Sequence, residues 1–358
     1  MAIRLHCIRT RYPHWGAYSG INQFLRYLDR DRFQIAVQSV PDGDEDFPIG
    51  NRAVRGSLRK LVQRRGMRWY KLSDLVAETR AFRECLLGRA DIIHYLDGEH
   101  SAQYLPGLLK RIPRRRVSLV ATFHQPAELL DSLLIKAVIA RLDCVTLVSP
   151  EQAAYFEALL PEDRIRVILH GVDTDYFRPG AKSHDEKRFR SITVGHYLRD
   201  FEAVRETALR LQDRRAIEFH IVSSKPVDLE GLSNVIIHKD VGDARLLEMY
   251  QQADILFLPL LGSTANNALL EGIACGLPVI STDLPSVRVY LPGEEAILVE
   301  KNDPDALIAP ILYLFENPDR AACMARQARR RAEELSWRNI APQYEAIYSQ
   351  LIDRGGNY

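Results

Sequence analysis

Between Pro259 and Gly276 the chain reads PLLGSTANNALLEGIACG, a small-residue stretch that opens onto a helical pattern. Gly262, Ser263 and Thr264, with Ala265 and Asn266 behind them, leave backbone N–H groups open where that helix begins. The helix dipole there favours an anion, and a diphosphate is the natural guest. Glu271 follows about two turns into the helix, where a carboxylate can accept two hydrogen bonds from a vicinal diol such as a ribose. The same residues also describe a capped helix carrying a solvated Glu, and this segment alone does not separate the two. Gly16 and Gly20 bracket a second turn before a helical run, where backbone can approach a ligand closely. Tyr18 between them, with His14 and Trp15, would line a ligand pocket or simply pack. His124 ends an apolar run and is either a ligand-facing or a structural histidine.

These residues need a scaffold. Strand-like runs at Ile3–Ile8, Gln34–Val40, Asp91–Leu96, Val117–Phe123, Cys144–Val148 and Arg166–Leu169 lack clean alternation, the mark of parallel strands covered on both faces. Helical patterns at Gly20–Asp29, Ser73–Leu87, Leu129–Leu142 and Glu151–Leu160 lie between them. A polar stretch, Pro179–Lys187, reads as a linker. The rhythm then restarts with runs at Ser191–Val194, Glu218–Val222, Val235–His238, Ile255–Leu258, Val279–Ser281 and Ala296–Val299. The expected fold class is α/β, two Rossmann-like doubly wound domains facing across a cleft. The division expected is 1–177, with a terminal helix over 338–358 packing back on it, and 178–337. Ligands of such sheets bind outside the carboxyl ends of the strands.

With 358 residues, 46% hydrophobic and 27% charged, the chain has the composition of a globular protein of two domains. A formal net charge of +1 gives no footprint for nucleic acid. Cys7, Cys85, Cys144, Cys275 and Cys323 are scattered and odd in number, so neither a disulfide framework nor a zinc site is expected, and the setting is cytoplasmic. No apolar run reads as a secretory signal or a membrane span.

Several segments together resemble the retaining, GT-B-type glycosyltransferases of group 1 (family 4). The stretch from Gly262 to Ile280 resembles their donor-site signature, two Glu separated by seven residues and then a small-Gly-x-Pro-Val run. Ala121–His124 resembles the strand-end His of their first domain, and Leu169–Pro179 (LHGVDTDYFRP) their interdomain signature. Tyr250–Pro259 resembles the strand entering the donor site, Gly16–Gly20 the N-terminal loop, and Ser336-Trp337 the terminal crossover helix. The resemblance implies transfer of a sugar from a nucleotide-sugar donor to a saccharide or lipid-linked acceptor, with retention and front-face attack. It implies acceptor contacts at Gly16, Tyr18 and Gly20, a sugar contact at His124, and donor contacts at Gly195, His196, Gly262, Thr264, Ala265, Asn266 and Glu271. No cofactor and no metal are expected.

Two departures stand out. The first Glu of the family motif falls at Ser263, so sugar recognition must differ, and His196 stands where an Arg is usual. Arg199 is therefore expected to carry the main positive charge for the leaving diphosphate, since a guanidinium is always charged and bidentate. The alternative is a surface ion pair with Asp200 or Glu202. With Arg199 and the helix N-terminus at Ser263 stabilising the growing charge, catalysis is electrostatic.

The DxD pattern in Asp42–Asp46 reads as an acidic surface loop rather than a metal site. Arg52 to Lys71 carries eight basic residues and no acidic one, with Val54, Leu58, Leu61 and Val62 at helical spacing and Trp69-Tyr70 after them. It is either a surface for anionic lipid, making the protein peripheral at the membrane, or a solvated helix face. Two other functions fit the sequence: a nucleotide-sugar 2-epimerase of related fold, which needs no acceptor, and a non-catalytic nucleotide-sugar-binding partner subunit.

Overall fold

A computed structural model describes residues 2–12, 16–63, 66–112, 117–181, 188–229 and 231–355. His14, Trp15, Arg64, Arg65 and most of the linker stretch, 182–187, lie outside the described residues. The fold divides by its contacts into two compact units. One comprises 1–15, 24–170 and 340–358, and the other 16–23 and 171–339.

Strands of the first unit are β1 (Ile3–Arg11), β2 (Phe33–Pro41), β3 (Ile92–Tyr95), β4 (Ser118–Phe123), β5 (Cys144–Leu147) and β6 (Ile165–Val167). All pair in parallel, in the order β2-β1-β3-β4-β5-β6. Every residue of β3 and β5 is buried, which is why these strands read as unbroken apolar runs. Helix Leu72–Leu86 packs Ala77 and Ala81 into this core. Tyr344 and Tyr348 of the terminal helix Trp337–Gly355 are fully buried in the same unit. His94 of β3 pins them there, with Nδ1 2.7 Å from the Tyr348 hydroxyl and Nε2 2.8 Å from Thr122 Oγ1. Each such buried bond contributes about 1 kcal/mol.

The second unit holds β7 (Phe189–Val194), β8 (Ile217–Val222), β9 (Val235–His238), β10 (Ile255–Leu258), β11 (Val279–Thr282) and β12 (Ala296–Val299). This sheet is again parallel, in the order β12-β11-β10-β7-β8-β9. The chain runs outward from β7 through β8 to β9 and returns to place β10 against β7. The order therefore reverses between β7 and β10, where a doubly wound sheet opens its ligand crevice.

Three expected helices differ, the Glu151–Leu160 run forming a 3-10 turn, Pro150–Gln152, and a short α-helix, Ala153–Glu157. The Leu129–Leu142 run forms two short helices, Ala127–Leu133 and Lys136–Ile139, because Leu134 takes an extended backbone (φ −117°, ψ 152°). The Gly20–Asp29 run forms only a 3-10 helix, Ile21–Arg26. Its bonds run from Gln23 N–H to Gly20 O and from Tyr27 N–H to Phe24 O, too short a repeat to sum a helix dipole.

Candidate active site

In the second unit, the loops after β7 and β10 meet at the reversal of strand order. They are stitched by backbone, with Asp200 N–H donating to Pro259 O at 3.0 Å and Leu261 N–H to Leu198 O at 3.0 Å. Gly195 leaves β7 at φ +88°, a conformation costly for any residue with a Cβ, and Leu198 accepts φ +57° to complete the turn. The His196 carbonyl accepts from Arg199 N–H at 3.4 Å. Beneath the crossing, Asn302 donates Nδ2 to Asp200 Oδ2 and to Leu260 O, each at 3.0 Å. It accepts Thr282 Oγ1 at 2.6 Å. Asp200, Thr282 and Asn302 each follow a strand or end one, the only hint of them in the sequence.

This frame fixes Arg199. Its Nε donates to Val194 O at 3.0 Å, its Nη1 to Tyr197 O at 3.0 Å and its Nη2 to Asn266 Oδ1 at 2.9 Å. All three acceptors are neutral, so the guanidinium charge is oriented but not cancelled. Burial pulls its pKa down to about 10, which leaves it charged at neutral pH. The ion pair with Asp200 is not made, because Asp200 caps helix Phe201–Arg210 through Ala203 N–H. Asn266 in turn caps helix Asn267–Ala274, accepting Leu269 N–H. One amide oxygen thus ties the cation to the positive end of that helix. Gly262, Ser263, Thr264 and Ala265 form the approach; Thr264 is buried and the others are half-buried.

Glu271 is buried, which overturns the solvated reading of this helix. Its carboxylate accepts Ser19 Oγ at 2.5 Å and Tyr250 OH at 3.0 Å. Burial raises its pKa to about 7, against the pull of these bonds and of Arg199. Segment 16–23 therefore groups with the second unit, although the sequence division put it in the first. Ala17 N–H donates to Asp243 Oδ2 at 2.8 Å, and Tyr18 stacks on Tyr176 with centroids 3.5 Å apart. A Cβ on Gly16 would lie 2.1 Å from Asp243 Oδ1, so a larger residue there would push the Asp243 carboxylate aside. Gly20 is buried at φ +90°.

In the first unit, His124 follows β4 and donates from its Nε2 to Leu96 O at 2.8 Å, which sets its tautomer. Its backbone N–H and that of Gln125 donate to Glu99 Oε1. Burial pushes Glu99 and Asp97 upward, with His124 opposing. Both carboxylates follow β3, beside the reversal of strand order between β1 and β3. The sequence reading passed over this Asp97-Gly98-Glu99-His100 stretch. His100 Nε2 lies 2.7 Å from Tyr12 OH, and Trp69 stacks on the imidazole at 5.0 Å. Burial lowers its pKa to about 3, so it is neutral. His100 Nδ1, Thr10 Oγ1 and both amide atoms of Gln103 are buried without a partner.

The Asp42–Asp46 stretch is not simply a surface loop. Asp44 is buried, accepts Leu72 N–H at 2.9 Å and pairs with Arg59, while Asp42 takes Lys71. Among the described residues no cluster of His, Cys, Asp or Glu is arranged to hold a metal ion. The basic helix forms, as Arg52–Val62, capped by Asn51 and with no buried residue. Trp69 and Tyr70 do not flank it as exposed aromatics. Tyr70 is fully buried with its hydroxyl on Glu78, and Trp69 packs on the first core. No helix among the described residues is long and apolar enough to cross a membrane.

Known proteins resemble this chain along most of its length. Residues 16–176 match the model for Glycosyltransferase Family 4, and residues 192–317 that for Glycosyl transferases group 1. The chain is 23% identical to a D-inositol 3-phosphate glycosyltransferase of Thermobispora bispora, over 54% of this chain and 52% of that protein. It is 27% identical to an MMP alpha-(1->4)-mannosyltransferase of Mycolicibacterium hassiacum, over 68% of this chain and 60% of that protein. It thus spans between half and two thirds of the length of these two relatives. Its fold matches sucrose-phosphate synthase of Thermosynechococcus elongatus at a TM-score of 0.75 and 17% identity, covering 98% of this chain and 100% of that one. The two doubly wound sheets are thus the GT-B fold, and the chain belongs to the group 1 (family 4) glycosyltransferases.

Proposed function

We propose that the protein transfers a hexose, with retention, from a nucleotide-sugar donor to a hydroxyl of a saccharide or lipid-linked acceptor. One observation carries this: Arg199 is bonded at 2.9 Å to Asn266, the cap of helix Asn267–Ala274, so a fixed cation and a helix N-terminus share one point of the crevice. Departure of the nucleoside diphosphate builds negative charge, and preorganised positive groups at that point are the largest lever on the barrier. Glu271 takes the ribose diol, and Ser263, in place of a carboxylate, contacts the sugar. The acceptor meets the first unit, where His100 carries an unpartnered buried nitrogen and lies 2.7 Å from Tyr12 OH through its other one. The leaving phosphate takes the acceptor proton, and neither metal nor cofactor enters. A thermal-shift screen against UDP-, GDP-, ADP- and dTDP-sugars, followed by product analysis with and without acceptor, tests the reading. Donor consumption only with acceptor present supports transfer; a new sugar isomer formed without acceptor points to an epimerase; binding without turnover points to a partner subunit.

We further infer a cytoplasmic protein, peripheral at an anionic membrane, that acts in cell-envelope polysaccharide or glycolipid assembly. The support is helix Arg52–Val62, which buries nothing and leaves Leu61 74% exposed next to Lys60. Arg59 and Lys71 are already paired with Asp44 and Asp42, so the charge offered is smaller than the composition suggests. Replacing Arg52, Lys60 and Arg68 by Gln should release the protein from anionic vesicles in sedimentation; unchanged sedimentation removes the idea.

A further inference from the structure

Away from both crevices, the face of the second sheet beneath helix Asp243–Gln252 encloses a cavity of about 240 Å³. Arg190 and Ile192 of β7, His220 of β8, and Arg245, Glu248 and Met249 of the helix line it. Neither switch-point loop contributes to it. Arg190 Nε and His220 Nε2 are buried there and hydrogen-bonded to nothing. An unmet buried donor costs about 1–3 kcal/mol, and such atoms in a native fold call for an explanation such as a water or an ion.

Charged groups of both signs surround the cavity. Glu218, on the same sheet face, is held by Arg188 and lies 3.8 Å from Arg190 Nε and 3.5 Å from His220 Nε2. Glu248 is held by Arg245 at 2.5 Å. Asp254 Oδ2 accepts the Arg190 backbone N–H at 2.8 Å, so three carboxylates stand near three guanidinium groups, and Arg190 Nε is the guanidinium atom left without a hydrogen bond. His238 of β9 stacks on His220, with rings 5.3 Å apart, and its Nε2 lies 3.1 Å from His220 Nδ1. Burial first, then His238, Arg190 and Arg245, lower the His220 pKa to about 4, so this ring is neutral and carries one N–H. The tautomer in which His238 Nε2 donates to Nδ1 puts the His220 proton on Nε2, the nitrogen that faces the Glu218 carboxylate at 3.5 Å.

We propose that this cavity binds a small phosphate-bearing anion, with Arg190 Nε, His220 Nε2 and the Arg245 guanidinium as its donors. Donors from a strand, a neighbouring strand and a covering helix approach from separate directions. That suits a tetrahedral oxyanion better than a planar carboxylate, which one guanidinium fork already satisfies. A water takes about 30 Å³ of liquid, so the space accommodates a phosphate with a small organic group attached.

Imidazole NMR of the full chain tests it, with His220→Gln used to identify the His220 resonance. Titration with inorganic phosphate should move that resonance saturably. Arg245→Gln, at an exposed position that leaves the core intact, should weaken the response about tenfold, the effect of losing roughly 1.4 kcal/mol. Arg190→Gln should do the same. A His220 signal indifferent to phosphate, or an Arg245→Gln protein that titrates like the parent, overturns the proposal. Glycerol phosphate run in parallel identifies the source: tighter binding than inorganic phosphate assigns the site to a phosphorylated metabolite, equal or weaker binding to the free ion. Because the readout is a single imidazole outside the donor crevice, the outcome is independent of whether sugar transfer is found.

Discussion

Ser19 donates its hydroxyl to Glu271 at 2.5 Å, so one oxygen of the carboxylate proposed for the ribose diol is already occupied. With Tyr250 on the other oxygen, the diol must share each oxygen with a protein hydroxyl or displace it. Ser19→Ala removes that competitor. The KM for the nucleotide sugar should fall about fivefold, the effect of one hydrogen bond of about 1 kcal/mol. A raised KM in steady-state kinetics would instead make Ser19 a donor contact.

Arg199 is held by three neutral acceptors, so its charge remains available to a leaving group. Arg199→Gln should lower kcat about 10²–10³-fold with a much smaller change in KM, as expected of an interaction that matters most in the transition state. Circular dichroism should show the fold retained. An unchanged kcat would remove Arg199 from the chemistry.

Glu271 titrates near 7 because burial outweighs its hydrogen bonds. Diol hydroxyls donate to the ionised carboxylate, so donor affinity should fall as the pH drops below about 7, by up to tenfold per unit. Stability runs the other way. A folded pKa above the ordinary 4.5 means that the folded state holds the proton longer, so stability declines as pH rises from 4.5 to about 7. Glu271→Gln should flatten both profiles, read by KM and by thermal unfolding. Profiles that keep their slope in the variant would assign the titration to another group.

Asp44 is buried against Arg59 and the Leu72 N–H rather than open to a cation. Asp44→Ala should destabilise the first unit by about 1–3 kcal/mol, measured by denaturant titration. Chelation with EDTA should leave transfer activity intact. Complete loss of activity on chelation would restore a metal role.

The twelve strands of the described residues were legible as apolar runs, most plainly central ones such as β3 and β5, where burial on both faces leaves no polar alternation to obscure them. Helix Asn267–Ala274 was legible from its small-residue entry and from Gly276, where Leu277 N–H returns to Gly272 O. Short helices were not. The break at Leu134 has neither Gly nor Pro to announce it, and the 3-10 run Ile21–Arg26 has apolar spacing much like that of an α-helix. Trp69 and Tyr70 were misread because aromatics after a basic helix suit an interface as well as a core.

Local residue patterns by themselves determined the two parallel-sheet units, the anion-favouring helix start after Pro259, and the family. The sign and strength of each site group were decided by folding. Arg199 and Asn266 are 67 positions apart, and Ser19 and Glu271 are 252 apart. Such pairs meet only because the strand order reverses between β7 and β10 and because Asp243 and Glu271 hold segment 16–23. Burial, which moves Glu271 to about 7 and Arg199 to about 10, depends on what packs around a residue rather than on its neighbours in the chain.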